Sequence, residues 1–168
     1  TFRDVTEQRK KKQKLVYQAT HDSLTGLLNR KEFEARLRKI LASTRKNDTH
    51  ALLYLDLDQF KIINDSCGHS AGDELLRQVT VLFQSKLRTR DTLARLGGDE
   101  FGIILEHCPQ NEAVQVAQTL RELVQNYRYH YQNKTFTIGV SIGLFPITHA
   151  NEGLVHALNA ADSACYEA

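Results

Sequence analysis

The sequence predicts an α+β fold, a ferredoxin-like split βαβ core (order βαββαβ) whose antiparallel sheet is flanked by helices. Three observations carry that expectation. Residues 51–58, ALLYLDLD, set Leu53, Leu55 and Leu57 in alternation with Tyr54, Asp56 and Asp58, the period-two pattern of a strand. Residues 92–106 read as two short strands around Gly97-Gly98, since paired glycines supply the positive φ of a tight hairpin. Stretches with apolar residues at helical spacing lie on either side of that hairpin, at 73–87 and 111–126.

Taken in order, residues 5–20 are polar, free of Gly and Pro, and anchored only by Val5, Leu15 and Val16. They predict a solvated connecting helix, its RKKK run a solvated face. A compact domain begins near His21, so the chain divides into 1–20, the end of an upstream unit with its connecting helix, and 21–168. Residues 30–42 place Phe33, Leu37, Ile40 and Leu41 on one helical face. The first strand follows, then a glycine-punctuated stretch (Gly68, Gly72) and the helix 73–87, with Leu75, Val79, Leu82 and Phe83 on its apolar side. After the hairpin, Val114, Ala117, Leu120, Leu123 and Val124 mark the helix 111–126. A strand over 136–147 and a last helix from about Leu154 complete the pattern. Tyr127, Tyr129 and Tyr131 alternate and are expected to pack beside a strand.

Composition narrows the function. With 168 residues, 41% hydrophobic and 25% charged, the chain is globular and large enough for one substantial core. No apolar run approaches the ~20 residues of a membrane span, and the basic start lacks a signal-peptide core. Three cysteines without a CxxC pair (Cys67, Cys108, Cys165) argue against a disulfide framework or zinc site and fit a reduced, cytoplasmic interior. His107, His130, His149 and His156 lack metal-ligand spacing. The net charge of +2 is small, and the excess of positive charge lies in the first sixteen positions while the remainder is net negative, which argues against nucleic acid as a partner.

Two carboxylate clusters carry the chemistry. Asp56 and Asp58 project the same way from the end of the first strand, and Asp99 and Glu100 follow the double glycine. In a split βαβ sheet the first strand and the hairpin's first strand can be neighbours, so the clusters can converge. Converging carboxylates raise each other's pKa unless a cation lies between them. Hard oxygen ligands that leave room for water and phosphate suit magnesium, and a pair of such ions suits phosphoryl transfer. Residue type and spacing lead to a metal–phosphate site and no further. Of the rival readings, an RNA-binding module would need exposed aromatics on the central strands, where this hairpin offers acids. An aspartyl-phosphate phosphatase would leave the second cluster unexplained.

LARLGGDEF (93–101) resembles the defining stretch of GGDEF domains, the diguanylate cyclases. The likeness extends over DSLTGLLNR (22–30), YLDLDQFKIINDSCGHSAGD (54–73), SIG (141–143) and AADSACYEA (160–168). It implies a sheet related to the nucleotidyl cyclase and polymerase palm domains. It implies that Asp56 binds two Mg2+ (or Mn2+) ions per active site, with the Leu57 carbonyl assisting. Asp99 becomes a metal ligand and acceptor of the ribose 3′-hydroxyl proton, and Glu100 a further metal-site carboxylate. Phe60 and the catalytic Lys61 fall where backbone amides and a lysine contact the triphosphate. Asn64 and Asp73 address the guanine edge, His69 lies in the same loop, and Gly97 and Gly98 let the backbone approach the phosphates.

The implied reaction joins two GTP molecules into cyclic di-GMP across a homodimer, releasing two pyrophosphates. Arg88 and Asp91 in RTRD occupy the family's RxxD product-inhibition site, with Arg121 as an additional arginine. Gln59 stands where the family often has an aromatic or His. Beyond Ala168 the family usually continues with a Lys and a Gly-Arg-Asn turn, so the domain is expected to be truncated there. FRDVTEQR resembles the exit of a PAS sensor domain, and some relatives carry a downstream EAL phosphodiesterase domain. The expected location is cytoplasmic, within a full-length protein that can be membrane-associated. The alternative function is a catalytically silent GGDEF domain that senses GTP or cyclic di-GMP.

Overall fold

The structure, a computed structural model, describes residues 2–149. The predicted last helix, the AADSACYEA stretch, His156 and Cys165 lie outside the described residues. Helix α1 (Phe2–Thr20) buries no residue, as its polar composition requires, and leaves Phe2, Val5, Leu15, Val16 and Tyr17 exposed. Helix α2 (Arg30–Ser43) is capped by Asn29, whose side chain accepts from the Glu32 N–H at 3.0 Å, and it buries Phe33, Leu37 and Ile40. Strand β1 (His50–Asp58) leads to helices α3 (Phe60–Cys67) and α4 (His69–Gln84), then to the hairpin of β2 (Thr92–Gly97) and β3 (Glu100–Leu105). Helix α5 (Gln110–Asn126), a second hairpin of β4 (Arg128–Tyr131) and β5 (Lys134–Thr137), and strand β6 (Gly139–Ile147) follow.

The main sheet has the order β2-β3-β1-β6 with every neighbouring pair antiparallel, which is the expected split βαβ topology. One expectation is corrected. The neighbour of β1 is the hairpin's second strand, β3, not its first. The reason is topological: α3 and α4 return the chain so that β2 runs parallel to β1, and only the strand after the turn can pair with β1 in an antiparallel sheet.

Strand β1 is buried on both faces. Leu53, Leu55 and Leu57 join the core beneath α3, α4 and α5, while Leu52 and Tyr54 join a second core beneath α2. A Cβ at Gly102 would stand 2.7 Å from the Phe33 ring, so α2 can lie this close to β3 only because position 102 lacks a side chain. Gly102→Ala is therefore expected to cost about 1–3 kcal/mol, read as a lower midpoint in urea denaturation.

Two segments differ from the sequence reading. The glycine-punctuated stretch contains helix α3, entered through Gln59 at φ 68 and ended at Gly68 with φ 90. These left-handed positions break the periodicity on which the reading relied. The predicted strand 136–147 is two strands, with Phe136 and Thr137 in the β4–β5 hairpin and β6 starting at Gly139. Tyr129 and Tyr131 belong to β4 itself. Tyr129 is fully buried and donates to the Ala71 carbonyl at 2.7 Å, tying the hairpin to α4; burial pushes its hydroxyl pKa up to about 12.

Candidate active site

The end of β1 is where the sheet assembles charge. Asp56 lies in register with Glu100 on β3 and with Ser141 on β6. The Leu57 N–H donates to the Asp99 carbonyl at 3.1 Å, which pins the hairpin turn against β1. The Asp56 carboxyl lies close enough to Asp99, Glu100 and Asp58 to feel the charge of all three. Burial first, then the charge of Asp99, then Glu100 and Asp58, push the Asp56 carboxyl up to about 7. Carboxylates whose charges raise one another's pKa in this way favour one proton or one cation between them. Asp58 leans towards β6, where the Ser141 hydroxyl donates to it at 2.9 Å and Gly139 leaves room for its other oxygen.

Among the described residues, no three His, Cys, Asp or Glu side chains form a ready-made metal cage. The donor set nevertheless fits a hard divalent cation. Acidic oxygens from two strands converge, carry mutual repulsion that a cation would relieve, and leave coordination positions for backbone carbonyl, water and phosphate.

The turn between β2 and β3 uses its glycines. Gly97 (φ 150) and Gly98 (φ 46) sit where side chains are strained, and no atom lies within 4 Å of the position a Cβ would take at either. Arg95 braces this turn. Its Nε donates to the Gly98 carbonyl at 3.0 Å, its Nη1 pairs with Asp22 at 3.0 Å, and its backbone N–H donates to Leu28 at 3.0 Å. Asp22 in turn accepts from the Thr25 N–H and hydroxyl at 2.9 and 2.7 Å. The turn is thus tied to the segment that follows α1. The sequence reading missed Asp22 and Arg95. The signal was an acid opening DSLTGLLNR and an arginine two residues before the glycine pair.

At the α3–α4 junction the Asn64 side-chain oxygen is buried with no partner among the described residues, and it fills the space where a Gly72 Cβ would stand. The Phe60 ring is the next neighbour of that space at 3.2 Å. A buried acceptor over a glycine cradle, with Asp73 next to it on α4, has the chemistry to take a hydrogen bond from a donor placed there. Lys61 and His69 are solvent-exposed at the starts of α3 and α4.

Arg88 and Asp91 form a closed fork. The Asp91 carboxylate, only 2% exposed, accepts from Arg88 Nε at 3.1 Å, Nη2 at 2.9 Å and the Arg88 backbone N–H at 2.8 Å. Arg88 Nη2 also donates to the Glu106 carbonyl at 3.0 Å. A cavity of about 440 Å³ opens beside this fork, and Arg36 of α2 lines it. Arg121 does not join it. It lines a separate groove of about 570 Å³ with Asp58, Gln118, Gln125 and Ser141. The cause is helical: Arg88 feels the charge of Glu112 in the first turn of α5, whereas Arg121 stands nine residues on, about 13 Å along the axis.

Residues 19–168 match the family described as "Diguanylate cyclase, GGDEF domain". The chain is 43% identical over 166 residues to the probable diguanylate cyclase DgcE of Escherichia coli, covering 98% of this chain and 15% of that protein. It is 40% identical over 174 residues to the cyclic di-GMP phosphodiesterase PdeB of Shewanella oneidensis, covering 99% of this chain and 19% of that one. The chain therefore spans less than a fifth of either relative. Among solved structures, the coiled coil and GGDEF domain of DgcB from Caulobacter crescentus, in complex with c-di-GMP, superposes with a TM-score of 0.89 at 27% identity, covering 98% of this chain and 88% of that one. Diguanylate cyclase SiaD from Pseudomonas aeruginosa, in complex with its activator SiaC, gives 0.83 at 30% identity, covering 98% and 64%.

Proposed function

Because the chain belongs to the GGDEF-domain family of diguanylate cyclases, we propose that it binds GTP and supplies half of the reaction centre that makes cyclic di-GMP. One observation carries this reading: Asp56 on β1 and Asp99 and Glu100 on the β2–β3 hairpin crowd their charges enough to lift the Asp56 carboxyl to about 7. Asp56, Asp99, Glu100 and the Leu57 carbonyl would hold Mg2+ or Mn2+, two ions per site. Bound there, the ions would supply positive charge to the triphosphate and to the attacking oxygen.

The chain's own residues do the remainder. Asn64 and Asp73 hydrogen-bond the guanine edge, with His69 in the same substrate-contacting loop, and Lys61 and Phe60 line the approach of the phosphates. Gly97 and Gly98 keep the turn free of side chains that would obstruct them. Asp99 accepts the 3′-hydroxyl proton. The freed oxygen bonds to the α-phosphorus of the GTP held by the opposing domain, the bond from that phosphorus to the bridging oxygen breaks, and pyrophosphate leaves with the electron pair. The same exchange in the other direction closes the ring. Each domain holds one nucleotide, so the homodimer is part of the mechanism, and positioning is its main contribution.

Arg88 and Asp91 are proposed to bind the product and restrain turnover, since a planar arginine fork suits a phosphate or guanine edge. Arg88→Ala is expected to leave initial turnover intact and to relieve inhibition by added cyclic di-GMP, measured as the product concentration that halves the rate. We further propose that residues 1–20 belong to a signalling helix below a PAS-like sensor, that 21–168 is the catalytic domain, and that the full protein works in the cytoplasm. A downstream EAL domain belongs to the same proposal.

Incubating the dimeric full-length protein with GTP and Mg2+, then assaying cyclic di-GMP and pyrophosphate, tests the activity. Product and pyrophosphate in equimolar-per-bond yield support it. A folded dimer that binds GTP or cyclic di-GMP without turnover would instead support the silent sensor. That second reading has its own observation, a relative named as a cyclic di-GMP phosphodiesterase that matches 99% of this chain.

A further inference from the structure

A single peptide group is gripped at both of its ends where β3 leaves the sheet, at the opposite end of β1 from Asp56. Its carbonyl, that of Glu106, accepts from Arg88 Nη2 at 3.0 Å. Its N–H, that of His107, donates to His50 Nδ1 at 2.8 Å. A backbone N–H can only donate, so His50 is neutral in this arrangement, with its proton on Nε2. His107 holds a left-handed φ of 50, and its ring lies edge-on to His50 at 4.9 Å, so the peptide is fixed by these partners rather than by local preference.

We propose that His50 is a positioning residue for the Arg88 fork, and that protonation of His50 weakens cyclic di-GMP binding there. The proposal rests on the product-site reading of Arg88 and Asp91. A protonated imidazole cannot accept the His107 N–H. The peptide then loses one of its two anchors, and its carbonyl no longer holds the Arg88 guanidinium in the plane that grips Asp91 and the ligand. A site that must first be ordered binds less tightly than one already ordered.

The surroundings of His50 set where this happens. Burial and the neighbouring His107 push its pKa below the usual 6.5, while Asp48 from the preceding loop and Glu106 from the end of β3 pull it back up. Arg45 faces the same cavity of about 270 Å³, through which solvent reaches the ring. On the β6 side, His149 contacts the Thr44 carbonyl at the end of α2. The imidazole is thus neutral near pH 7.5 and takes its proton on acidification.

The expected sign separates this from general electrostatics. Added positive charge would strengthen binding of a phosphodiester, which stays ionised throughout; loss of the anchor weakens it. Calorimetric titration of the chain with cyclic di-GMP, at constant ionic strength from about pH 7.5 to about pH 5.5, is expected to show affinity falling steadily towards a limit of about fivefold, the worth of one ordinary hydrogen bond, as His50 takes its proton. His50→Gln keeps an acceptor that cannot titrate and is expected to bind with no such slope, whereas His107→Asn, which tolerates the left-handed φ, keeps it. In the unsubstituted chain, the Arg88 Nε–H resonance should follow the His50 titration by NMR, with or without product. Affinity that is flat or rises on acidification, or a wild-type slope in His50→Gln, overturns the inference while leaving the product site standing. No cyclic di-GMP binding at any pH overturns the product-site reading, and this inference with it.

Discussion

Replacing Asp99 with Ala is expected to abolish cyclic di-GMP formation, with a loss of at least about 10³-fold. General-base transfer typically contributes about 10²–10⁴-fold and electrostatic stabilisation a comparable factor, and Asp99 is proposed to serve both. The fold should survive. The bond that pins the turn to β1 uses the Asp99 backbone carbonyl, not its side chain, and Arg95 holds Gly98 from the other side. Asp99→Ala should therefore unfold at a temperature no lower than the unsubstituted protein, since it also removes the largest charge crowding Asp56, while the GTP assay falls silent. Retention of a tenth or more of the turnover would remove Asp99 from the mechanism.

Asp56→Asn should separate activity from stability in the opposite direction. Turnover is expected to fall by a comparable factor, because the most crowded carboxylate is gone. The metal-free domain is expected to gain about 0.5–2 kcal/mol at pH 8, the usual yield of relieving one unfavourable site. The sign follows from proton linkage. Asp56 titrates near 3.8 in an unfolded chain and is pushed up to about 7 in the folded one. Between those values the folded state holds the extra proton, so the stabilisation present below the lower value is lost as pH rises through the upper one. Asparagine cannot ionise, and the decline in this window should disappear with it. Urea denaturation of both proteins with chelator present, at pH 5 and pH 8, measures this directly. An Asn variant that is less stable at pH 8 would mean that the carboxylate makes contacts worth more than the repulsion it suffers.

Much of this was legible before the structure, for identifiable reasons. β1 and the β2–β3 hairpin announce themselves because alternation and a glycine pair are local signals, and α2 and α5 because their apolar faces run for several turns. The acids stood out for the same reason, since Asp56, Asp99 and Glu100 sit at strand ends that the pattern already marks. Features set by tertiary contact did not show. That Asp56 faces Glu100 in register depends on which hairpin strand reaches β1. Helix α3 is short and bounded by the left-handed Gln59 and by Gly68, so it offers little period to read. The Asp22–Arg95 pair spans 73 positions, and the Glu106–His107 peptide is gripped by residues 18 and 57 positions away. The resemblance pairs Arg121 with Arg88 as an additional arginine, and the fold places the two in different grooves, which no local pattern marks.

The central claim is that oxygens from β1 and from the hairpin turn share divalent cations which in turn hold the phosphates of GTP. Anomalous diffraction from crystals of the dimer grown with Mn2+ and a non-hydrolysable GTP analogue tests it most directly. The account predicts manganese peaks within coordination distance of Asp56 and of Asp99 or Glu100, bridged to the triphosphate. Manganese bound only elsewhere, with the triphosphate seated away from the end of β1, would contradict it.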